Sequence, residues 1–316
     1  MTGYIGKRSL ALLPTLLGIV TLVFLMIRLI PGDPAAAIGG DNAGAEALEA
    51  LRERLGVNGS IGAQYARYLG DLVTFDLGAS IHTGLPVTEV VGEALPVTAV
   101  IALLSVILGT AIAVPIGALA AYARSRGKIG ADSGLTGFAM GIDTMPSFWV
   151  ALVAILFLSL KLDLFPVSGA IPWSDPLAAA HRLALPVAVL GLAQIASVAR
   201  VTRTAVLDSL QDDYVRTARA VGTPEMTVLF KHALKNSALP IVTVTGLSVG
   251  RLLGGTVIIE NIFSIPGMGT ALVQSISARD YPVVQGVILV FALLFILVNF
   301  LTDIVYTRVD PRVRLS

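Results

Sequence analysis

The chain has 316 residues, of which 55% are hydrophobic and only 14% are charged, and its formal net charge at pH 7 is +1. This composition excludes an ordinary soluble domain and indicates an integral membrane protein. The absence of cysteine excludes disulfides, cysteine-ligated zinc and iron–sulfur clusters, and the three histidines lack the spacing of a metal site. We therefore expect this chain to bind no metal and no cofactor.

Six apolar runs are each long enough to cross the roughly 30 Å hydrocarbon core of a bilayer as a helix. The first follows Lys7 and Arg8 and could also be a signal peptide, but its length and the later spans favour a retained helix. The predicted spans cover residues 9–30, 96–122, 134–160, 183–206, 239–262 and 283–305. The predicted fold class is an all-α integral membrane protein with six transmembrane helices.

A polar region separates the first span from the second. Acidic residues outnumber basic ones there, and leucine and tyrosine spacings predict two short helices. We expect three parts: residues 1–30 as an N-terminal segment and first span, residues 31–95 as a small external subdomain, and residues 96–316 as the core.

Clusters of lysine and arginine follow alternate spans, as the positive-inside rule requires. They place both termini in the cytoplasm and the acidic region outside, in a multi-pass protein of the cell membrane. Residues 213–240 are then cytoplasmic, where a soluble partner could reach them.

Residues 213–238 predict two short helices joined by a turn at Gly222. Thr223 predicts the N-cap of the second helix, followed by Pro224 and by Glu225 in its first turn. Its apolar residues recur at helical spacing on one face, at Met226, Leu229, Phe230, Ala233 and Leu234. Such a stripe could dock on a partner or lie on the lipid surface, and the pattern leaves both open.

Catalytic motifs are missing from the sequence. It has no phosphate-binding GxxxxGK[ST] loop, no GxSxG and no HExxH, so we expect a non-catalytic chain. Three ionisable residues fall inside predicted spans: Asp143, Arg251 and Glu260. They could form a structural ion pair or line a water-filled seam, or they could act in substrate passage or gating.

The sequence DYVRTARAVG at residues 213–222, with KHALKN at 231–236 and Leu239-Pro240, resembles the cytoplasmic signature of ABC-importer permeases, in particular the B-type subunits of dipeptide/oligopeptide systems. Arg216 and Thr217 replace the usual glutamate and alanine, as peptide-type permeases tend to do. The resemblance covers nearly the whole chain, through segments at 31–34, 76–80, 146–149, 253–255, 263–269, 279–286 and 310–312.

The resemblance implies a bacterial translocation subunit that works with partners. These are a second, homologous permease forming a heterodimer, two ABC ATPase subunits that hold ATP and Mg, and an extracytoplasmic substrate-binding protein; no nucleic-acid partner is implied. The ATPase-coupling residues would be Tyr214, Arg216, Ala218, Arg219, Gly222, Thr223, Glu225, Met226, Leu229, Phe230 and His232. Candidate contacts with the binding protein are Asp76, Ser80, Pro266, Gly267 and Met268.

Three functions stay open. The first is ATP-driven import of di- and oligopeptides. The second keeps the same fold but imports nickel chelates, opines or other peptide-like solutes. The third is an ion-coupled carrier, which the Gly222 element and the scarcity of paired acids in the spans argue against.

Overall fold

The computed structural model describes residues 2–28, 35–36 and 44–309. The motifs expected at residues 31–34 and 310–312 lie outside these ranges. Within them the chain is mostly helical, with an isolated bridge between Ala79 and Pro86. The main described helices are α1 Thr2–Arg28, α2 Ala45–Arg54, α3 Ile61–Val73, α4 Val87–Ser125, α5 Ile129–Asp143, α6 Ser147–Ala154, α7 Pro176–Ser209, α8 Asp213–Ala220, α9 Glu225–Thr227, α10 Ala238–Ile262, α11 Met268–Ala278 and α12 Tyr281–Val309.

Two of these helices continue with altered geometry. α6 runs into a π-helix at Ile155–Lys161, and α9 runs into a π-helix at Val228–Ala233 and a last turn at Leu234–Asn236. The uninterrupted α-helix expected after Glu225 is therefore wrong. A π-helix inserts an extra residue into the turn, so the simple i, i+3, i+4 spacing no longer predicts which side chains share a face.

Four described helices are long and apolar enough to cross a membrane: α4, α7, α10 and α12. The third span expected at residues 134–160 is not one continuous helix, because α5 and α6 meet at an angle of 89°. If this bent pair is one span, the described residues contain five candidate membrane spans. Helix α1 contains a shorter apolar stretch at Leu13–Met26. The break falls at residues 144–146, where Pro146 disfavours helical geometry at Met145.

The described chain divides into two compact units. The first comprises Met1–Thr98 and Pro266–Ile296. Its core joins α4, α11 and α12 through buried apolar side chains, which are Val87, Val91, Ala94, Met268, Val283 and Val287. The backbone N–H of Met268 donates to Thr98 Oγ1 at 2.8 Å, which fixes the start of α11 against α4.

The second unit comprises Ala99–Ile265 and Leu297–Ser316. Here α4 and α7 approach so closely at Gly117 that an added Cβ would lie 2.4 Å from the carbonyl oxygen of Ala199. α5 joins α7 through a two-point ion pair, in which Arg203 Nε and Nη2 donate to the Asp132 carboxylate at 2.5 and 2.6 Å. This unit carries the α8–α9 segment (residues 213–236).

Candidate functional site

The turn between α8 and α9 is closed by hydrogen bonds that depend on Gly222. Its N–H donates to Arg219 O at 3.0 Å, and the Thr223 N–H donates to Ala218 O at 3.1 Å. This pair is the Schellman pattern of helix termination, which requires a left-handed residue, and Gly222 has φ +82°. α9 then starts at Glu225 after an extended Pro224 that has no side-chain cap, so the prediction of Thr223 as N-cap is wrong.

One side of the α8–α9 segment packs into the second unit. Val215, Val228, Leu229 and Ala233 are buried in a cluster with side chains of α4 and α7. The other members are Ala118 and Ala121 of α4, Val206 of α7, and Leu210 directly after α7. The apolar stripe predicted for α9 is therefore divided, because Leu229 and Ala233 complete the chain's own core.

Hydrogen bonds fix both ends of the segment to α7. The hydroxyl groups of Tyr214 and Ser209 bond each other, and Ser209 also donates to Ala233 O at 3.3 Å. After α9, Ser237 Oγ lies 3.0 Å from Ala205 O and 2.9 Å from Ala233 O. A displacement of this segment would therefore move α7 with it.

Glu225 joins the turn to the loop after α4. Its carboxylate lies 2.5 Å from Arg126 Nη2 and 3.3 Å from Arg219 Nε. The negative charge raises the pKa of Arg126 above its ordinary value, so this arginine stays charged at any physiological pH. The side chains are partly exposed, so we assign the pair a role in orientation rather than in stability.

The opposite side of the segment presents apolar side chains to the surroundings. Val221 is 76% exposed, Met226 50% and Phe230 42%, and Gly222 and Pro224 beside them are also exposed. We call Val221, Met226 and Phe230 the apolar tip. Of the other predicted coupling residues, Arg216 is exposed, whereas Tyr214, Ala218, Arg219 and His232 are half-buried.

The three ionisable residues of the predicted spans do not form a cluster. Asp143 is exposed at the end of α5 and has no ion pair among the described residues. Arg251 and Glu260 are nine residues apart on α10, about two and a half turns, so they point to roughly opposite sides. Glu260 is fully buried, whereas Arg251 is exposed and donates to Ser197 Oγ and Ser248 Oγ, each at 3.0 Å.

The candidate contacts with a binding protein fall into two groups within the first unit. Asp76 and Pro266 are exposed, but Ser80, Gly267 and Met268 are buried. Ser80 Oγ donates to Asp280 Oδ2 at 2.5 Å, and the Ile81 N–H donates to Asp280 Oδ1 at 3.2 Å. Ser80 joins its loop to Asp280, and all three buried residues offer no surface to a partner in this conformation.

Sequence reasoning missed two contributors to the α8–α9 site. Val221 precedes the turn glycine and falls outside the periodic stripe, yet it is the most exposed part of the apolar tip. Arg126 belongs to the basic run after α4, which had been used only for orientation. An apolar side chain next to a helix-ending glycine was the one available signal for Val221, and nothing in the sequence indicated the partner of Arg126.

Comparison with known proteins defines the class. Residues 113–315 match the family described as binding-protein-dependent transport system inner membrane component, and residues 1–102 match the N-terminal family of the same membrane components. The chain therefore belongs to this family of ABC-transporter permeases. The resemblance inferred from the α8–α9 sequence is confirmed.

Curated relatives match over the full length. A putative peptide transport system permease protein of Brucella abortus (strain 2308) is 42% identical, with 99% of each chain covered. A glutathione transport system permease protein of Salmonella paratyphi A is 37% identical, again with 99% of each chain covered.

Among solved structures, a chain from inward-facing MetNI methionine ABC transporter matches with a TM-score of 0.58 and 18% identity. The match covers 71% of this chain and 97% of that one. At this identity the likeness concerns the fold, and it agrees with a permease core of packed helices.

Proposed function

We propose that this chain is the translocation subunit of an ATP-driven importer of di- and oligopeptides, and that the α8–α9 segment receives force from an ATPase subunit. The observation that carries the proposal is the two-sided construction of the segment. Val228 and Leu229 are fixed in the core with α4 and α7, while Val221, Met226 and Phe230 are left outside. A partner that binds the apolar tip would move the α8–α9 segment together with α4 and α7 as a rigid body.

The proposed assembly contains a second, homologous permease, two ATPases that bind ATP and Mg, and an extracytoplasmic binding protein. In this assembly the chain crosses the membrane six times, with both termini and the α8–α9 segment in the cytoplasm. The peptide cargo is supported by the Brucella relative, which carries a peptide-permease name at 42% identity. Reconstituted in liposomes, the complete complex should accumulate labelled dipeptide only with hydrolysable ATP; equal uptake without nucleotide would refute the proposal.

Docking at the apolar tip is tested by Val221→Arg. This side chain is 76% exposed, so the change should leave the fold intact but place an unpaired charge in the proposed ATPase contact. We expect co-purification of the ATPase subunits and peptide-stimulated ATP hydrolysis to fall at least about tenfold, the effect of a loss of roughly 1.4 kcal/mol in binding.

Leu177→Arg is the matched control. Leu177 is 81% exposed on α7 and lies 32 residues before Ser209, at the other end of that helix from the α8–α9 segment. It should retain its ATPase subunits. If Val221→Arg binds the ATPases as tightly as Leu177→Arg does, the apolar tip is not the docking site.

Glutathione is a second candidate cargo of the peptide type. It is favoured by the Salmonella relative, which is 37% identical and is named as a glutathione permease. Competition separates the two cargoes. Excess glutathione should suppress labelled dipeptide uptake if the system accepts both, and should leave it unchanged if dipeptides are the preferred class.

A further inference from the structure

A small cavity lies within the second unit, where α6, α7 and α10 meet. Its volume is about 150 Å³. Its polar lining is formed by Ser147, Gln194, Ser248 and Arg251, and its apolar lining includes Leu190 and Leu252. The three helices are candidate spans or part of one, so a charged group here is placed where charge is costly unless it meets water or a counter-charge.

Arg251 is positioned in this cavity but not neutralised. Two neutral hydroxyl groups, Ser197 Oγ and Ser248 Oγ, accept hydrogen bonds from its Nη2. They orient the guanidinium without cancelling its charge and leave the rest of its planar fork for another acceptor. No described carboxylate forms an ion pair with Arg251, since Glu260 points to the other side of α10.

The broken span adds a second feature that attracts anions. Ser147, the first residue of α6, lines the same cavity, so the start of this helix and Arg251 face one space. The first N–H groups of a helix have no partner within it and carry partial positive charge. Such interrupted helices are a recurrent way of presenting backbone N–H groups to an anionic substrate inside a membrane.

Gln194 completes the polar lining. Its side chain is 1% exposed, and its Nε2 donates to Ser105 O and Val106 O at 3.1 and 2.9 Å. Its Oε1 accepts no hydrogen bond among the described residues. Gln194 is therefore held to α4 through its donor group, and its remaining group is an acceptor that does not bind a carboxylate. The groups of this cavity that suit an anion are Arg251 and the start of α6.

We propose that this cavity is a cargo subsite in which Arg251 and the start of α6 bind a carboxylate group. The inference rests on the proposed function, because it names the part of a peptide-like cargo that the site would recognise. A bidentate Arg–carboxylate contact matches the free C-terminus of a peptide. A peptide whose C-terminus is an amide lacks the charge and would lose this contact.

The test uses the complete complex in nanodiscs with Ser147→Cys, which gives this cysteine-free chain one thiol inside the cavity. Labelling is followed by mass spectrometry of this chain with an anionic and a cationic thiosulfonate reagent. Replacing Arg251 by Gln should lower the anionic-to-cationic rate ratio by about tenfold or more, since one nearby charge changes the local concentration of charged reagents by that order. Lys128→Gln, an exposed charge in the loop before α5, is the matched control and should leave the ratio unchanged.

The second arm identifies the ligand. Saturating dipeptide should slow labelling of Ser147→Cys, the corresponding dipeptide amide should not, and Arg251→Gln should remove the difference. A rate ratio that does not respond to Arg251→Gln would overturn the proposal. Equal protection by peptide and amide would also overturn it, as would protection by neither, which would assign the counter-charge to another subunit. Peptide uptake by the wild-type complex is measured in parallel, so that failure of the proposed function shows separately as absent ATP-dependent uptake.

Discussion

The α8–α9 segment and Ser80 were both expected from sequence to meet a partner, and these two regions are built in opposite ways. In the first, Leu229 is buried while its neighbour Phe230 is exposed. In the second, Ser80 is 2% exposed and Asp280 is 4% exposed, and they bond each other. One side of the first region is exposed and available to another molecule. In the second region the polar groups bond each other within their own unit.

This difference shows that a sequence motif can suggest a partner contact for two distinct structural reasons. A motif can form a surface, as at the apolar tip, or it can hold together the loops that support a surface, as at Ser80. Substitutions distinguish these roles because a surface residue affects partner binding with little change in stability, and a supporting residue affects stability first.

The largest expected effect is at Leu229. Leu229→Ala should lower the free energy of unfolding by about 2–5 kcal/mol, because it removes a fully buried side chain from the cluster shared with α4 and α7. Chemical unfolding in mixed micelles measures the change. Phe230→Ala, one residue along and 42% exposed, should cost below about 1 kcal/mol but reduce ATPase co-purification. Equal destabilisation by the two variants would show that the segment has no free side.

A smaller effect is expected at Asp280. Asp280→Asn removes one of the two carboxylate acceptors that hold Ser80 Oγ and the Ile81 N–H, and should cost about 1–3 kcal/mol. Hydrogen exchange of residues 79–84 should speed up in this variant. Asp71→Asn, at an exposed position on α3, is the control and should leave this exchange unchanged. Unaltered exchange in Asp280→Asn would mean that the contact does not hold these loops.

The smallest effect is expected at Gly222. An added Cβ would meet no atom within 4 Å, so Gly222→Ala should cost only the strain of φ +82°, about 1–2 kcal/mol. Gly222→Asn should cost less, because asparagine adopts left-handed geometry more readily. Peptide-stimulated ATP hydrolysis should follow the same order: wild type, then Asn, then Ala. If Asn and Ala behave alike, backbone geometry at this turn does not limit coupling.

Much of the fold could be predicted because it depends on local properties. The four long apolar helices follow from runs of hydrophobic residues, and the turn at Gly222 follows from the need for a residue that tolerates positive φ. The break between α5 and α6 was not predicted, although the sequence contains Pro146. An apolar run indicates that a helix is buried or in lipid, but it does not indicate whether the helix axis bends. The π-helix at Val228–Ala233 likewise had no signal in composition, and the predicted stripe is divided there: Leu229 is buried whereas Phe230 is exposed.

The sequence by itself determined the class of the protein, its helical character and the position of the α8–α9 turn, since hydropathy and backbone preference are properties of the chain. Only the tertiary structure decided which side of that segment is free, that α5 and α6 meet at a sharp bend, and that Arg251 and the start of α6 line one cavity. These depend on which helices pack together, and packing brings into contact residues that are distant in sequence, such as Arg251 and Ser197 or Arg126 and Glu225.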